Sequence, residues 1–159
     1  MIPRIVQEHL KRHHPRYEHH QHAIAMTAQE LAHADHVSGY RVAKPVVVKL
    51  GGELAIAVVA ATDRVNLGTL EESTASTAEI PPESEFAQRF APCEAGAEPP
   101  LGMFGVQIFA DEKVLQEERL IMPAGTHEDS IALDTREWQS CEHVQPVANL
   151  GHRTAVRVH

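Results

Sequence analysis

Val42-Ala43-Lys44-Pro45-Val46-Val47-Val48-Lys49-Leu50, followed by Gly51-Gly52 and then Glu53-Leu54-Ala55-Ile56-Ala57-Val58-Val59-Ala60, reads as two β-strands joined by a two-residue turn. The β-branched run favours extended backbone, and paired glycines supply the positive φ angles that a tight hairpin needs. Side chains alternate along a strand, so Lys44 falls on one face with Val46, Val48 and Leu50. An ammonium on an apolar strand face costs free energy unless it reaches an anion, a carboxylate or an open cleft. The alternative places Lys44 just outside the strand start with its head in water. We therefore expect either a solvated lysine or one aimed into a concavity.

The segments around this hairpin mix helices and strands. Ile2, Ile5, Val6 and Leu10 share a helical face, with Pro3 suited to a first turn. Extended chain is expected around Arg16-Tyr17-Glu18-His19. Thr27-Ala28-Gln29-Glu30 has capping-box spacing for a helix from Ala28 to His36, with Gly39 placed to end it. Asn66 caps a helix over Leu67 to Glu72, and Pro81-Pro82 introduces another over Glu83 to Phe90. The Ser-, Thr- and Pro-rich stretch from Ser73 to Pro82 reads as a loop with a short edge strand. Val106 to Phe109, Arg119 to Met122 and Ser130 to Leu133 read as strands, and Asp134 caps a final helix with Trp138 and Cys141. This order predicts one α+β domain over residues 1–159. It has a mixed, largely antiparallel sheet flanked by helices, an N-terminal helix over 1–14 and a tail over 151–159.

Composition narrows the function. The 159 residues carry a net charge of −8, and 43 % are hydrophobic, ordinary for a globular chain. No apolar run approaches the roughly 18 residues of a membrane span, and the N-terminus lacks a secretory core. A cytoplasmic protein without membrane association is expected. Residues 1–50 hold seven Lys/Arg against four acids, so the acidic excess lies entirely in the remainder. Such a body does not suit wrapping a long nucleic acid such as DNA, whose binding rests on phosphate neutralisation. Contact with the tip of one is compatible. Cys93 and Cys141 form no Cys-x-x-Cys pair. His13-His14 and His19-His20-x-His22 match no closed zinc spacing, so no metal or other cofactor is implied, although these histidines could bind a transition metal adventitiously. His127 differs: it follows Gly125-Thr126 at the exit of an apolar strand, where cleft residues often sit.

Taken in order, Tyr17-Glu18-His19, Thr27-Ala28-Gln29-Glu30, Val42-Ala43-Lys44, Gly96-x-x-Pro99-Pro100-x-Gly102, the strand ending at Asp111, and Gly125-Thr126-His127-x-Asp129 resemble the YbaK-like family. That family includes free-standing aminoacyl-tRNA deacylases and the editing domain inserted in bacterial prolyl-tRNA synthetases. The resemblance spans roughly residues 17–147. It implies hydrolysis in trans of an amino acid wrongly esterified to a tRNA, such as alanine or cysteine on tRNA(Pro), in the service of translation fidelity.

Partners would then be a charged acceptor end and an aminoacyl-tRNA synthetase. Lys44, Gly96 and His127 take the catalytic positions, with Lys44 on the terminal nucleotide or phosphate and His127 lining the aminoacyl pocket. Tyr17, Pro99, Pro100, Gly102, Gly125, Thr126 and Asp129 take substrate-binding positions. The residue after the lysine, commonly threonine in the family, is Pro45 here, which removes a hydroxyl and a backbone donor. No nucleophile–base arrangement is present, which suits an activated ester needing a positioned water, and backbone groups of the 96–102 loop would hold the oxyanion or that water. The alternative is a non-catalytic module of the same fold that binds a nucleotide or aminoacyl-like ligand.

Overall fold

The computed structural model describes residues 1–153. Its elements are helix α1 (Arg4–His13), strand β1 (Glu18–Gln21), α2 (Ala28–Ala34), β2 (Ala43–Leu50), β3 (Glu53–Ala60), β4 (Asp63–Val65), α3 (Leu67–Thr74), β5 (Ala78–Glu79), α4 (Glu83–Phe86), β6 (Gln107–Asp111), β7 (Arg119–Pro123), β8 (Asp129–Asp134), α5 (Thr135–Cys141), β9 (Gln145–Val147) and β10 (Gly151–Arg153). Five strands form the main sheet in the order β5-β2-β3-β6-β9; β2 is antiparallel to its neighbours, and β3-β6 and β6-β9 are parallel. β1-β8-β7 form an antiparallel sheet, and β10 pairs with β4. The α+β architecture is the one expected.

The central hairpin forms as its sequence dictates. Gly51 and Gly52 sit at φ 53° and 87°, and β2 pairs with β3 from Ala43–Ala60 to Leu50–Glu53. Alternation then sends Ala43, Val47, Ile56 and Val58 into the larger core, with Leu120, Ile131 and Trp138. Val48, Ala55, Ala57 and Val59 face a second core with Leu70 and Phe109. Each face is buried, so a one-residue slip would exchange two apolar sets for each other's environment. Pro45 lies where β2 has no partner on its outer side, because β5 covers only Lys49 and Leu50. An edge position tolerates the missing donor.

Caps bound the helices where expected. Thr27 Oγ1 accepts from Glu30 N, Asn66 Oδ1 from Thr69 N and Asp134 Oδ1 from Glu137 N. Some boundaries differ from the sequence reading. α2 stops at Ala34, because His36 takes a left-handed φ of 56°; Gly39 instead opens a 3₁₀ turn. α4 lasts only to Phe86, where no apolar periodicity extends it, while Phe90 turns into the core against Phe104. Of the expected tail, residues 151–153 form β10; residues 154–159 lie outside the described residues. Among the described residues, no helix is long and apolar enough to cross a membrane.

Candidate active site

Lys44, Gly96 and His127 border one recess although 52 and 31 residues of chain separate them. Its volume is about 40 Å³, and Ala25, Leu31, Ala43, Ala97 and Pro123 give it apolar walls. It opens beside a groove of about 590 Å³ lined by Lys44, Pro45, Val46, Ile80, Phe86 and Glu98. Thr126 and Asp129 join the recess, and the Gly125 backbone turns next to it.

Lys44 stands at the rim between recess and groove. Pairing with Val59 puts its side chain on the face of the second core, opposite Ala43 and Pro45. Its ammonium donates to the carbonyl oxygen of Asp63. The expected amine aimed into the recess is therefore corrected: strand alternation carries the stem to the far face, and the β3–β4 turn supplies the acceptor. Lys44 is half-buried, and among the described residues no carboxylate oxygen lies within ion-pair distance of it. Burial pushes its pKa down, the nearby Asp63 charge opposes that, and Arg64 adds to it. A cation with a neutral acceptor only is left able to receive an anion.

His127 is a bracket. One ring nitrogen, Nε2, faces the Ala95 carbonyl at 2.9 Å, and Nδ1 faces the Ala25 carbonyl at 3.3 Å. With each nitrogen beside a main-chain oxygen, the ring joins the 22–26 segment to the Gly96 turn, and whichever nitrogen carries the proton donates to its carbonyl. Gly96 holds φ at 86°, and a methyl there would meet His127 Cε1 at 3.3 Å. The positive φ favours glycine there, and the ring would have to give by a few tenths of an ångström to admit a methyl.

The loop amides are not available for an oxyanion, and that expectation is corrected. Gly96 N donates to both oxygens of Glu98 at 2.8 and 2.9 Å, Ala97 N to Glu94 O, Leu101 N to Pro99 O, and Gly102 N to Glu142 Oε1. Prolines leave few donors in the loop, and Glu98, Pro99, Glu94 and Glu142 accept from those named. Glu98 is a residue the sequence reading missed; an acid two places after a left-handed glycine was the available signal. Burial raises its pKa, while the Gly96 amide lowers it. Glu98→Gln should fold with unchanged or higher stability because it keeps an acceptor and loses a buried charge. Glu98→Ala should lose about 1–3 kcal/mol by stranding the Gly96 amide, as read from urea midpoints.

Asp129 is buried at the start of β8 and accepts from Thr126 Oγ1 and His19 Nε2, each at 2.6 Å, and from the Met1 amine at 3.0 Å. Burial opposes its ionisation, but the Thr126, His19 and Met1 contacts outweigh it and hold the pKa at about 2. This is below the free carboxyl value of about 3.9. Its contribution to stability is therefore present above about pH 4 and lost as pH falls toward 2. The stability gap between wild type and Asp129→Asn should stay flat at neutral pH and close in acid. A gap that widens in acid contradicts the assignment.

Four expected binding residues lie elsewhere. Tyr17 packs on the main core and borders a separate cavity with Arg16, Arg119 and Glu137, because the turn from His14 points it inward before β1 begins. Pro99 and Pro100 are buried, and the Pro100 carbonyl accepts from Trp138 Nε1. Gly102 is tied to Glu142. These residues shape the loop from behind. Gly125 serves indirectly too: at φ 105°, a side chain there would strike Pro3 of the α1 cap.

The fold and this recess define a small α+β domain with an apolar recess bordered by a half-buried lysine. The sequence model for the aminoacyl-tRNA editing domain matches residues 22–141, and the chain belongs to that family. No curated protein matches it. Among solved structures, a proposed trans-editing enzyme for prolyl tRNA synthetase superposes with a TM-score of 0.81 at 18 % identity, covering 91 % of this chain and 94 % of the other. The hypothetical protein APE2540 gives 0.79 at 16 %, covering 92 % and 99 %. A structure from work on epitope grafting onto scaffold proteins gives 0.82 at 19 %, covering 96 % and 97 %. At such identities these likenesses establish the fold.

Proposed function

We propose that this chain is a free-standing aminoacyl-tRNA deacylase that hydrolyses the ester of a mischarged tRNA, with alanine or cysteine on tRNA(Pro) as substrates, in the cytoplasm. The observation that carries the reading is a 40 Å³ apolar recess bordered by a half-buried lysine that makes no ion pair among the described residues. The recess has room for a few water-sized groups, the scale of a small side chain. The adjoining groove takes the terminal nucleotide, and Lys44 turns from the Asp63 carbonyl to its phosphate. Gly96 and His127 keep the recess wall in place, and Thr126 and Asp129 support the turn that carries His127. The amides of Thr126 and His127 make no hydrogen bond among the described residues, and we assign them to the ester carbonyl. An activated ester held against such donors needs only a positioned water.

An apolar recess separates side chains by about 1–3 kcal/mol per methylene. Further selectivity would come from the tRNA end or a partner synthetase. The test is a discharge assay on tRNA(Pro) carrying alanine, cysteine, serine or proline. Loss of the alanyl or cysteinyl ester with the prolyl ester spared supports the reading. Binding of charged tRNA without discharge would favour a binding module, which the acidic surface and Pro45 suit.

A further inference from the structure

Away from the recess, the ends of α1 and α5 meet in a cluster that the deacylase reading does not use. Glu142, the residue closing α5, is buried, as is His14 at the end of α1, and His9 is 14 % exposed at its side chain. His9 Nε2 lies 2.8 and 3.0 Å from the two Glu142 oxygens, and His14 Nε2 lies 2.5 Å from Oε2. The three ligand-type atoms all fall within 4.8 Å of one another. Glu142 Oε1 is independently fixed by Gly102 N at 2.7 Å.

We infer that His9, His14 and Glu142 form a binding site for a divalent transition metal such as zinc, separate from the recess. A buried carboxylate flanked by two imidazoles carries a negative charge, which either a proton on one ring or a bound cation must balance. Two imidazole nitrogens and one carboxylate are the donor set of three-ligand zinc sites, and the remaining position falls to water. The Gly102 amide supplies the outer hydrogen bond that orients a ligating carboxylate. Bonds of about 2.0–2.2 Å require the donor atoms to separate to about 3.3 Å, a shift of under ~1 Å for rings at a helix end. Both rings coordinate through Nε2 in their neutral form, and any imidazolium proton leaves to solvent. His13 is exposed with its ring centroid 4.6 Å from that of His9, and marks the solvent side of the cluster.

The sequence hides this site, because Glu142 lies more than a hundred residues from its partners. The experiment is titration of untagged protein with cobalt(II), followed by visible absorption, and with zinc, followed by calorimetry and melting temperature. One equivalent should bind, with intense cobalt bands and a zinc-dependent rise in melting temperature. His9→Gln keeps a donor for Glu142, so it should fold while weakening binding about 100-fold. His20→Gln, at a partly buried histidine of β1 outside the cluster, should leave binding intact. Absence of a stoichiometric site in wild type overturns the inference. So does binding that survives His9→Gln, which would assign the ion to surface imidazoles. Discharge of charged tRNA is a separate readout, so failure here leaves the deacylase reading standing.

Discussion

Lys44→Met is expected to lower kcat/KM for a mischarged tRNA roughly 100-fold, about 2.7 kcal/mol of transition-state binding, while melting temperature holds or rises. Methionine preserves most of the stem but carries no charge. The native ammonium is half-buried against a carbonyl, and burial already depresses its pKa. Removing it therefore relieves desolvation and takes away a lysine that borders the recess and makes no ion pair among the described residues. Stability and activity should move apart. Because Lys44 borders the recess and its ammonium turns from the Asp63 carbonyl to phosphate in the proposal, much of the loss should appear in KM. Lys44→Arg should recover part of it. Activity equal to wild type in Lys44→Met would remove the assigned role.

Glu142→Ala should cost about 3–5 kcal/mol, the range for deleting one partner of a buried charged network. The carboxylate satisfies His9, His14 and the Gly102 amide together. Alanine strands all three at the junction of α1, α5 and the proline loop. For a chain of this size the melting temperature should fall on the order of 10 °C. A change below about 1 kcal/mol in urea unfolding would mean that water replaces the carboxylate without loss.

The hairpin, the caps and the helix–strand order were legible because each depends on neighbours in sequence. Valine alternation set which residues face which core, paired glycines set the turn, and Thr27, Asn66 and Asp134 each accept from an amide three residues on. Strands β4, β9 and β10 were not visible, since three-residue pieces acquire their extended form only from a partner strand. The recess shows the same division. Ordered motifs located Lys44, Gly96, Thr126, His127 and Asp129, whereas the direction of each side chain depended on distant contacts. Lys44 reaches the Asp63 carbonyl, His127 braces two carbonyls, and Tyr17 turns inward from His14. The carboxylates of Glu98 and Glu142 consume amides that the proline–glycine spacing alone made look free.

The most direct test of the central claim is single-turnover discharge of alanyl-tRNA(Pro) beside the same tRNA carrying leucine. A recess of about 40 Å³ with Lys44 at its rim predicts loss of the alanyl ester at least about tenfold faster than in buffer, with the leucyl ester spared. Equal rates for both esters, or an alanyl ester no less durable with the protein than without it, would contradict the account.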